Sequence, residues 1–367
     1  MTIPFLGLFF FQNIGKYRMK TVNNIYKCTP DQTKKYVIHC MKCGLVPFIQ
    51  SSPGIGKSSI VKQIAKEYNL KLIDLRLSTC DPTDLTGLPH FEGRKATFSP
   101  FDIFPTEYTP IPENKEGWLL FLDEFNSANK AVQAASYKLI LDRMVGNYNL
   151  HNNCFIVAAG NLGTDRAIVN NLSTAMQSRV IHIEMDVNFN NWYKNIAIPH
   201  KYDSRIIGFL NMYNNKLMDF DPEHEDKTFC CPRTWEFVNN IIKDEKNLDP
   251  LLNLLVGTIS TGVAIEFVQW AKIYDHLIKL EDIIKDPENC NLPEDLNIKW
   301  ATISMLLDKF NNNNITEILK YVKRFDVSFR ILFYRSILIK EPSIKNNPNI
   351  INDFAELSQY IFGDDNE

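Results

Sequence analysis

Residues 51–59 have the sequence Ser51-Ser52-Pro53-Gly54-Ile55-Gly56-Lys57-Ser58-Ser59, which is the most informative motif of the chain. A short apolar run at 47–50 precedes it and predicts the end of a buried strand. Apolar residues at helical spacing follow it over 58–68. Because Gly54 and Gly56 permit backbone conformations that point consecutive amides inward, the strand, turn and helix together predict a phosphate-binding loop.

The loop residues have expected contacts with a nucleotide. The helix that begins at Lys57 adds its positive end to the site. Lys57 is predicted to reach the β and γ phosphates, and the Ser58 hydroxyl to ligate Mg²⁺. Ser51 stands where the usual pattern G-x-x-x-x-G-K-[ST] begins with glycine, but a small residue can serve there. The alternative is a surface turn without a ligand. The predicted nucleotide-binding residues are Pro53, Gly54, Ile55, Gly56, Lys57, Ser58 and Ser59.

Composition and charge narrow the classes of protein to consider. The 367 residues are 45% hydrophobic, which is enough for two or three domains with their own cores. The formal net charge of -3 gives no global attraction to nucleic acid. Eight cysteines without a repeated pair spacing indicate reduced thiols and a cytoplasmic location. The single Cys-x-x-Cys, Cys40 to Cys43, lacks the second pair of a zinc site.

The first residues leave the start of the chain open. Residues 3–11 are apolar but too few to span a bilayer, and they lack a basic leader and a small-residue cleavage site. They form either an ordered hydrophobic arm or a stretch upstream of a true start at Met19. No other stretch approaches transmembrane length, so we expect no membrane span.

A second signal lies at residues 118–124, where a continuous apolar run ends in Asp123 and Glu124. Such a run predicts a buried strand whose end delivers two acids to the ligand side of a parallel sheet. Asp123 is expected to hold Mg²⁺ through water, and Glu124 to orient and polarise the water that attacks the γ phosphate. Many buried strands end in an acid, so the prediction depends on the pairing with the phosphate loop.

Two further residues are candidates for the same chemistry. Residues 154–159 predict the next buried strand, which places Asn161 near the γ phosphate or the attacking water; a turn-forming Asn is the alternative. Residues 173–179 predict a short helix that ends in Arg179. The guanidinium either caps its own helix or enters the active site of a neighbouring subunit as an arginine finger.

The rest of the chain divides into an irregular segment and a helical half. Eight prolines and glycines between 77 and 117 exclude a long regular element there, and this segment either serves a central pore or a neighbouring subunit, or only joins two strands. Thr29 and Gln32 predict a capping box for a helix at 30–43, and residues 70–76 predict a strand. Residues 127–143 predict a helix, and residues 145–150 a tight turn or hairpin. From residue 191 the pattern is helical, with helices at 303–310 and 315–325 among those predicted. We therefore predict an N-terminal arm at 1–28, an α/β nucleotide-binding domain at 29–190, a helical lid at 191–290 and a C-terminal helical module at 291–367.

In this order, the loop at 51–59, the strand at 119–124, Asn161 and Arg179 resemble the AAA+ ATPases. The segments at 122–128 and 84–89 are most similar to the MoxR-like branch of bacteria and phages. The segment at 231–236 resembles the start of the lid helix that carries the second sensor. The resemblance extends over residues 30–267 and implies an AAA+ core, with a parallel sheet flanked by helices, followed by a helical lid and a C-terminal helical extension.

The resemblance also assigns site residues and partners. It implies that Asp123 is the metal acid, Glu124 the catalytic acid and Asn161 the first sensor. It implies Arg179 as the finger given in trans, with Arg166 as a competing candidate. Arg233 would be the second sensor; its expected place in the first turn of a helix, where a cation is disfavoured, supports this, and an exposed arginine is the alternative. The implied cofactors are ATP and Mg²⁺.

The leading functional hypothesis is an ATPase that assembles as a ring, expected to be a hexamer, and remodels a protein client in a chaperone-like manner. The resemblance suggests a partner with a von Willebrand factor type A domain. The alternative is a nucleic-acid motor or loader with the same core, but the chain has no long basic run and its aromatics are not interleaved with Lys or Arg. A non-hydrolysing scaffold is disfavoured because Glu124 and Asn161 are both present.

Overall fold

The computed structural model describes residues 27–165, 170–273, 277–311, 313–346 and 356–357. The apolar run at 3–11, the candidate start Met19 and the candidate finger Arg166 lie outside the described residues. The chain divides into two compact units, Met1–Asn188 and Phe189–Glu367.

The first unit is built on a six-stranded sheet in which every neighbouring pair is parallel. The described strands of this unit are β1 Lys27–Cys28, β2 Pro47–Gln50, β3 Leu70–Arg76, β4 Leu88–Glu92, β5 Lys95–Ser99, β6 Gly117–Asp123, β7 Met144–Val145, β8 Tyr148–Asn149, β9 Cys154–Gly160 and β10 Ile181–Met185. The strand order in the large sheet is β1-β10-β2-β9-β6-β3. The predicted parallel sheet is therefore confirmed, and β9 lies between the strand of the phosphate loop and the acidic strand.

Five α-helices of the described residues connect these strands: α1 Pro30–Lys42, α2 Lys57–Glu67, α3 Pro82–Thr86, α4 Lys130–Leu141 and α5 Thr174–Gln177. The capping box predicted for α1 is present: Thr29 Oγ1 accepts from Gln32 N, and Gln32 Oε1 accepts from Thr29 N. The sequence placed the start of α4 at 127, which is wrong by three residues. Asn129 caps the helix by accepting from Val132 N at 2.9 Å, so the helix begins after it.

Helices cover both faces of the sheet, as expected for buried parallel strands. Leu120 and Leu122 of β6 belong to a cluster that contains Val132 and Leu139 of α4. On the other face, Phe121 belongs to a cluster built with residues of α1 and α2. Full burial of side chains of this size contributes about 1.5–3 kcal/mol each, and the central strands are thereby held rigidly under the loops at their carboxyl ends.

The segment between β3 and β6 contains only short elements, as its prolines and glycines predict. A 3₁₀ turn at Leu77–Thr79 and α3 lead into the antiparallel hairpin of β4 and β5. Neither this hairpin nor the edge strand β1, which pairs with β10, was predicted from the sequence. A second hairpin, formed by β7 and β8, confirms the tight turn or hairpin predicted at 145–150.

The second unit is helical in its described residues. Its α-helices are α6 Phe189–Trp192, α7 Ser204–Met212, α8 Pro232–Ile242, α9 Leu252–Val256, α10 Thr261–Ile273, α11 Leu280–Lys285, α12 Leu296–Lys309, α13 Ile315–Val322 and α14 Val327–Lys340. The start of α12 was predicted at 303 but lies seven residues earlier, because Asp295 caps it by accepting from Asn297 N and Ile298 N. The division into a lid and a C-terminal module stays a prediction. No helix of the described residues is long and apolar enough to cross a membrane.

Candidate nucleotide-binding site

The loop between β2 and α2 has the conformation that its glycines permit. Gly54 has φ 80° and Gly56 has φ 114°, both in the left-handed region that other residues rarely adopt. Gly56 is the N-cap of α2, so the positive end of that helix begins at Lys57. The loop therefore joins a buried strand to a half-buried helix start.

The ammonium group of Lys57 lies among oxygen atoms from two strand ends. Its Nζ donates to Ser51 O at 2.9 Å, to Ser51 Oγ at 3.1 Å and to Asn161 Oδ1 at 3.1 Å. Ser51 is 0% exposed. The serine that replaces the usual glycine is thus tolerated inside the loop and adds an acceptor for Lys57. The contact also brings Asn161, at the end of β9, to the phosphate loop.

Asp123 faces the first turn of α2. Its Oδ2 accepts from Ser58 Oγ at 3.1 Å, and its Oδ1 accepts from Glu124 N at 2.9 Å. Burial raises the pKa of the Asp123 carboxyl above its usual value, although these two hydrogen bonds and the charge of Lys57 act in the opposite direction. A carboxylate whose charge is poorly solvated next to a serine hydroxyl is a suitable place for a cation.

Glu124 leaves the direction of β6 abruptly. Its φ of 54° is left-handed, a conformation that costs a non-glycine residue about 1 kcal/mol or more. Its Oε2 accepts a hydrogen bond from the hydroxyl of Ser78, which lies in the 3₁₀ turn after β3. Strands β3 and β6 are neighbours, with Arg76 opposite Asp123, so their carboxyl ends bring Ser78 and Glu124 together.

Asn126 contacts the backbone of Asn161 with both ends of its carboxamide. Its Nδ2 donates to Asn161 O at 2.7 Å, and its Oδ1 accepts from Asn161 N at 3.0 Å. Neither Asn126 nor Ser78 was predicted from the sequence to be functional. A polar residue directly after an acidic strand was the available signal for Asn126, whereas Ser78 is recognised only once the strand order is known.

The predicted arginines lie in different places. Arg179 is exposed just beyond α5, and its Nη1 donates to Ala175 O at 2.6 Å, the helix-capping contact that was one of its two predicted roles. Arg233 is exposed in the second unit, one residue after Pro232, which begins α8. The helix start predicted at Pro232 is therefore confirmed, while the sensor and finger roles stay predictions.

The residues of this site fit Mg²⁺ and a nucleoside triphosphate. Hydroxyl and carboxylate oxygens are the ligands that Mg²⁺ prefers, and Ser58 and Asp123 supply one of each within 3.1 Å of each other. Lys57 and the start of α2 supply positive charge for phosphate oxygens. Ser58 and Asp123 would hold the metal ion, and Lys57 with the backbone amides of the loop would hold the phosphates.

Comparison with known proteins agrees with this geometry. The model of the AAA domain, dynein-related subfamily, matches residues 48–180, which contain the phosphate loop, both acids, Asn161 and Arg179. No curated protein sequence matches the chain.

Solved structures show a weak similarity. They include the RuvB Holliday junction branch migration motor of Thermotoga maritima (17% identity, 71% of this chain, 76% of that chain, TM-score 0.34) and a candidate ATPase of Cytophaga hutchinsonii (13% identity, 82% of this chain, 78% of that chain, TM-score 0.32). At these TM-scores the similarity carries no argument about function. The match over residues 48–180, together with the parallel sheet that carries the phosphate loop and the acidic strand, identifies this part of the chain as an AAA domain.

Proposed function

We propose that this chain hydrolyses ATP with Mg²⁺ at the site between β2, β6 and β9. The observation that carries the proposal is the joint placement of Lys57, Ser58, Asp123 and Asn161, which hydrogen bonds connect across three strand ends. Glu124 follows Asp123 directly, and its backbone N–H donates to Asp123 Oδ1.

Each side chain has a task that its contacts support. Lys57 exchanges its present oxygen partners, Ser51 and Asn161, for phosphate oxygens when a nucleotide binds. Glu124 orients and polarises the attacking water, and Asn161 contacts the γ phosphate or that water. Ser78 fixes the direction of the Glu124 carboxylate until water replaces its hydroxyl. Bound Mg²⁺ supplies positive charge that offsets the charge of the phosphates.

The assembly and the client form a further part of the proposal. We infer a homo-oligomeric ring, hexameric by resemblance to the MoxR-like branch, in which Arg179 of one subunit completes the site of the next and Arg233 acts as the second sensor. The exposed position of Arg179 supports this arrangement. In the same proposal, the ring acts in the cytoplasm and remodels a protein client through a partner with a von Willebrand factor type A domain.

Steady-state ATP turnover of the wild-type chain and of Glu124→Gln tests the proposed reaction. Because the amide cannot act as a base, we expect Glu124→Gln to bind ATP and to lower kcat by about 100-fold or more. Glu116→Gln is the matched control, since Glu116 is exposed just before the opposite end of β6, and it should retain wild-type turnover. Equal turnover in the wild type and Glu124→Gln would remove Glu124 from the mechanism.

Turnover in the presence of DNA separates the proposed client from the alternative. The assay is repeated with single- and double-stranded DNA at low and moderate salt. Strong stimulation that falls as salt rises would favour a nucleic-acid motor or loader, because phosphate contacts are sensitive to salt. Turnover that rises with protein concentration and ignores DNA supports the ring that acts on a protein.

A further inference from the structure

Asn126 holds the main chain of Asn161 as a neighbouring strand would. The Asn126 side chain is 3% exposed, and its carboxamide donates to Asn161 O at 2.7 Å and accepts from Asn161 N at 3.0 Å. The described strand β9 ends at Gly160, so Asn161 lies just beyond the last pairing of β2 with β9, that of Gln50 with Gly160. The Asn126 side chain thus satisfies the N–H and C=O groups of Asn161, which lie beyond the last pairing of β2 with β9.

The space for this contact is provided by Gly160. A Cβ atom at Gly160 would lie 2.1 Å from Asn126 Oδ1 and 2.7 Å from Asn126 Cγ, which is closer than atoms can approach. Gly160 thereby lets the carboxamide of Asn126 approach the backbone directly. A methyl group at position 160 would therefore occupy the place of the Asn126 carboxamide.

The main chain of residues 126–128 also binds Asn170, which lies nine residues after Asn161. Asn126 O accepts from Asn170 N at 2.7 Å, and Ala128 O accepts from Asn170 Nδ2 at 2.8 Å. Residues 126–128 therefore fix both Asn161 and Asn170. This segment is itself anchored, since Phe125 is fully buried against the core of the sheet.

We propose that Asn126 is a positioning residue for ATP hydrolysis, a role that rests on the proposed function. By fixing the backbone of Asn161, it directs the Asn161 carboxamide, whose Oδ1 lies 3.1 Å from Lys57 Nζ, toward the place of the γ phosphate. Asn126 itself binds no nucleotide. Its loss leaves the phosphate loop in place but lets Asn161 turn away, which affects the chemical step more than nucleotide binding.

The test compares Asn126→Ala with Asn129→Ala in three measurements. Asn129 caps α4 and contacts Val132 N, so its loss weakens the same region without touching Asn161. The measurements are kcat, the affinity for a fluorescent ATP analogue with Mg²⁺, and hydrogen exchange of the Asn161 amide. We expect Asn126→Ala to lower kcat by about 10- to 100-fold, to change the affinity by less than about 3-fold, and to speed exchange at Asn161 by about 10-fold or more. Asn129→Ala should leave all three within about 3-fold of the wild type.

The outcomes separate this inference from the proposed function. Wild-type protein without ATP turnover would overturn the proposed function itself. Wild-type turnover together with unchanged kcat in Asn126→Ala would overturn only the positioning role, as would faster exchange at Asn161 without any loss of kcat. Gly160→Ala provides a second test, because it displaces the same carboxamide from the opposite side. It should lower kcat in the wild-type background, with a much smaller additional loss in Asn126→Ala.

Discussion

Asp123 combines two requirements that oppose each other in the nucleotide-free protein. It must be ionised to hold a cation, yet burial raises the pKa of its carboxyl. Folding therefore favours the protonated form of Asp123. The stabilisation from this form is fully present below the unfolded-state pKa of the carboxyl, and it is lost as the pH rises through the folded-state pKa. At neutral pH the buried negative charge lowers the free energy of unfolding.

Asp123→Asn should therefore stabilise the protein in the absence of nucleotide and metal. We expect the thermal midpoint at pH 7 to rise by about 2 °C, because the buried charge is removed while solvent screens part of the original penalty. The difference should shrink as the pH falls, because protonation of Asp123 removes the buried charge from the wild type. Midpoints measured from pH 4 to 8 check this, with Asp102→Asn on an exposed loop as the control.

Addition of Mg²⁺ and ATP should reverse the order of the two proteins. The wild type gains stability on binding in proportion to its affinity, whereas Asp123→Asn lacks the carboxylate that would hold the metal ion. A variant that is less stable than the wild type by the same amount at every pH would contradict the role assigned to burial of the charge.

Sequence alone identified the residues whose chemistry is carried by a local motif. Lys57 and Ser58 lie in the phosphate loop, and Asp123 and Glu124 end an apolar run, so spacing and residue type were sufficient to predict their places. Ser78 and Asn126 could not be found in this way. Their contacts join positions far apart in the chain, and a serine or an asparagine after a strand is common in turns.

At the level of the elements, β9 is a central strand of the large sheet. It pairs with β2 on one side and with β6 on the other, and its first residue, Cys154, is 0% exposed. Burial raises the pKa of the Cys154 thiol to about 12. The thiol therefore combines a low accessibility with a very small thiolate fraction, and both suppress its reaction with alkylating reagents.

Alkylation of Cys154 should accordingly report the opening of the central sheet. Because burial both hides this thiol and disfavours its thiolate, we expect no labelling by iodoacetamide at pH 8 in the native protein during the time in which the exposed Cys43 reacts. Mass spectrometry of peptides that contain each cysteine, with and without denaturant, makes the comparison. Labelling of native Cys154 at the rate of Cys43 would show that β9 is accessible, against the structure described.

The elements themselves were predicted with errors that have local causes. The hydrophobic pattern predicted the strands β2, β3, β6 and β9. The predicted starts of α4 and α12 were wrong, because Asn129 and Asp295 cap these helices and so fix where each one begins. The edge strand β1 has two residues and is defined only by its pairing with β10. A strand of two residues is too short to show an alternating hydrophobic pattern, so it cannot be predicted from one.

For the molecule as a whole, the sequence predicted that the second half is helical, but it did not predict how those helices pack. The described residues from 189 onward contain helices only of moderate length, with a core that includes Ile303, Leu319 and Phe333. No feature of these described helices indicates the proposed client or partner. The proposed ring, by contrast, allows a prediction that needs no knowledge of the client, since in that proposal Arg179 and Glu124 of different subunits act at one site.

Mixing two inactive variants tests that requirement. Arg179→Ala keeps Glu124, and Glu124→Gln keeps Arg179, so each homogeneous ring should bind ATP with little turnover. In a random equal mixture, about a quarter of the interfaces join an intact Glu124 to an intact Arg179 of the neighbour. We expect turnover to recover toward a quarter of the wild-type rate.

A finger that acts within its own subunit gives the opposite result, because no subunit of the mixture has both residues. The mixture would then stay as inactive as its components. The control is a mixture of Arg179→Ala with Lys57→Ala/Arg179→Ala, in which no arginine is available to any site, and it should show no recovery. Because Arg179 also donates to Ala175 O, loss of the helix cap alone could lower turnover in Arg179→Ala. Recovery on mixing separates the two effects, since a neighbour can supply an arginine in trans but cannot repair a cap.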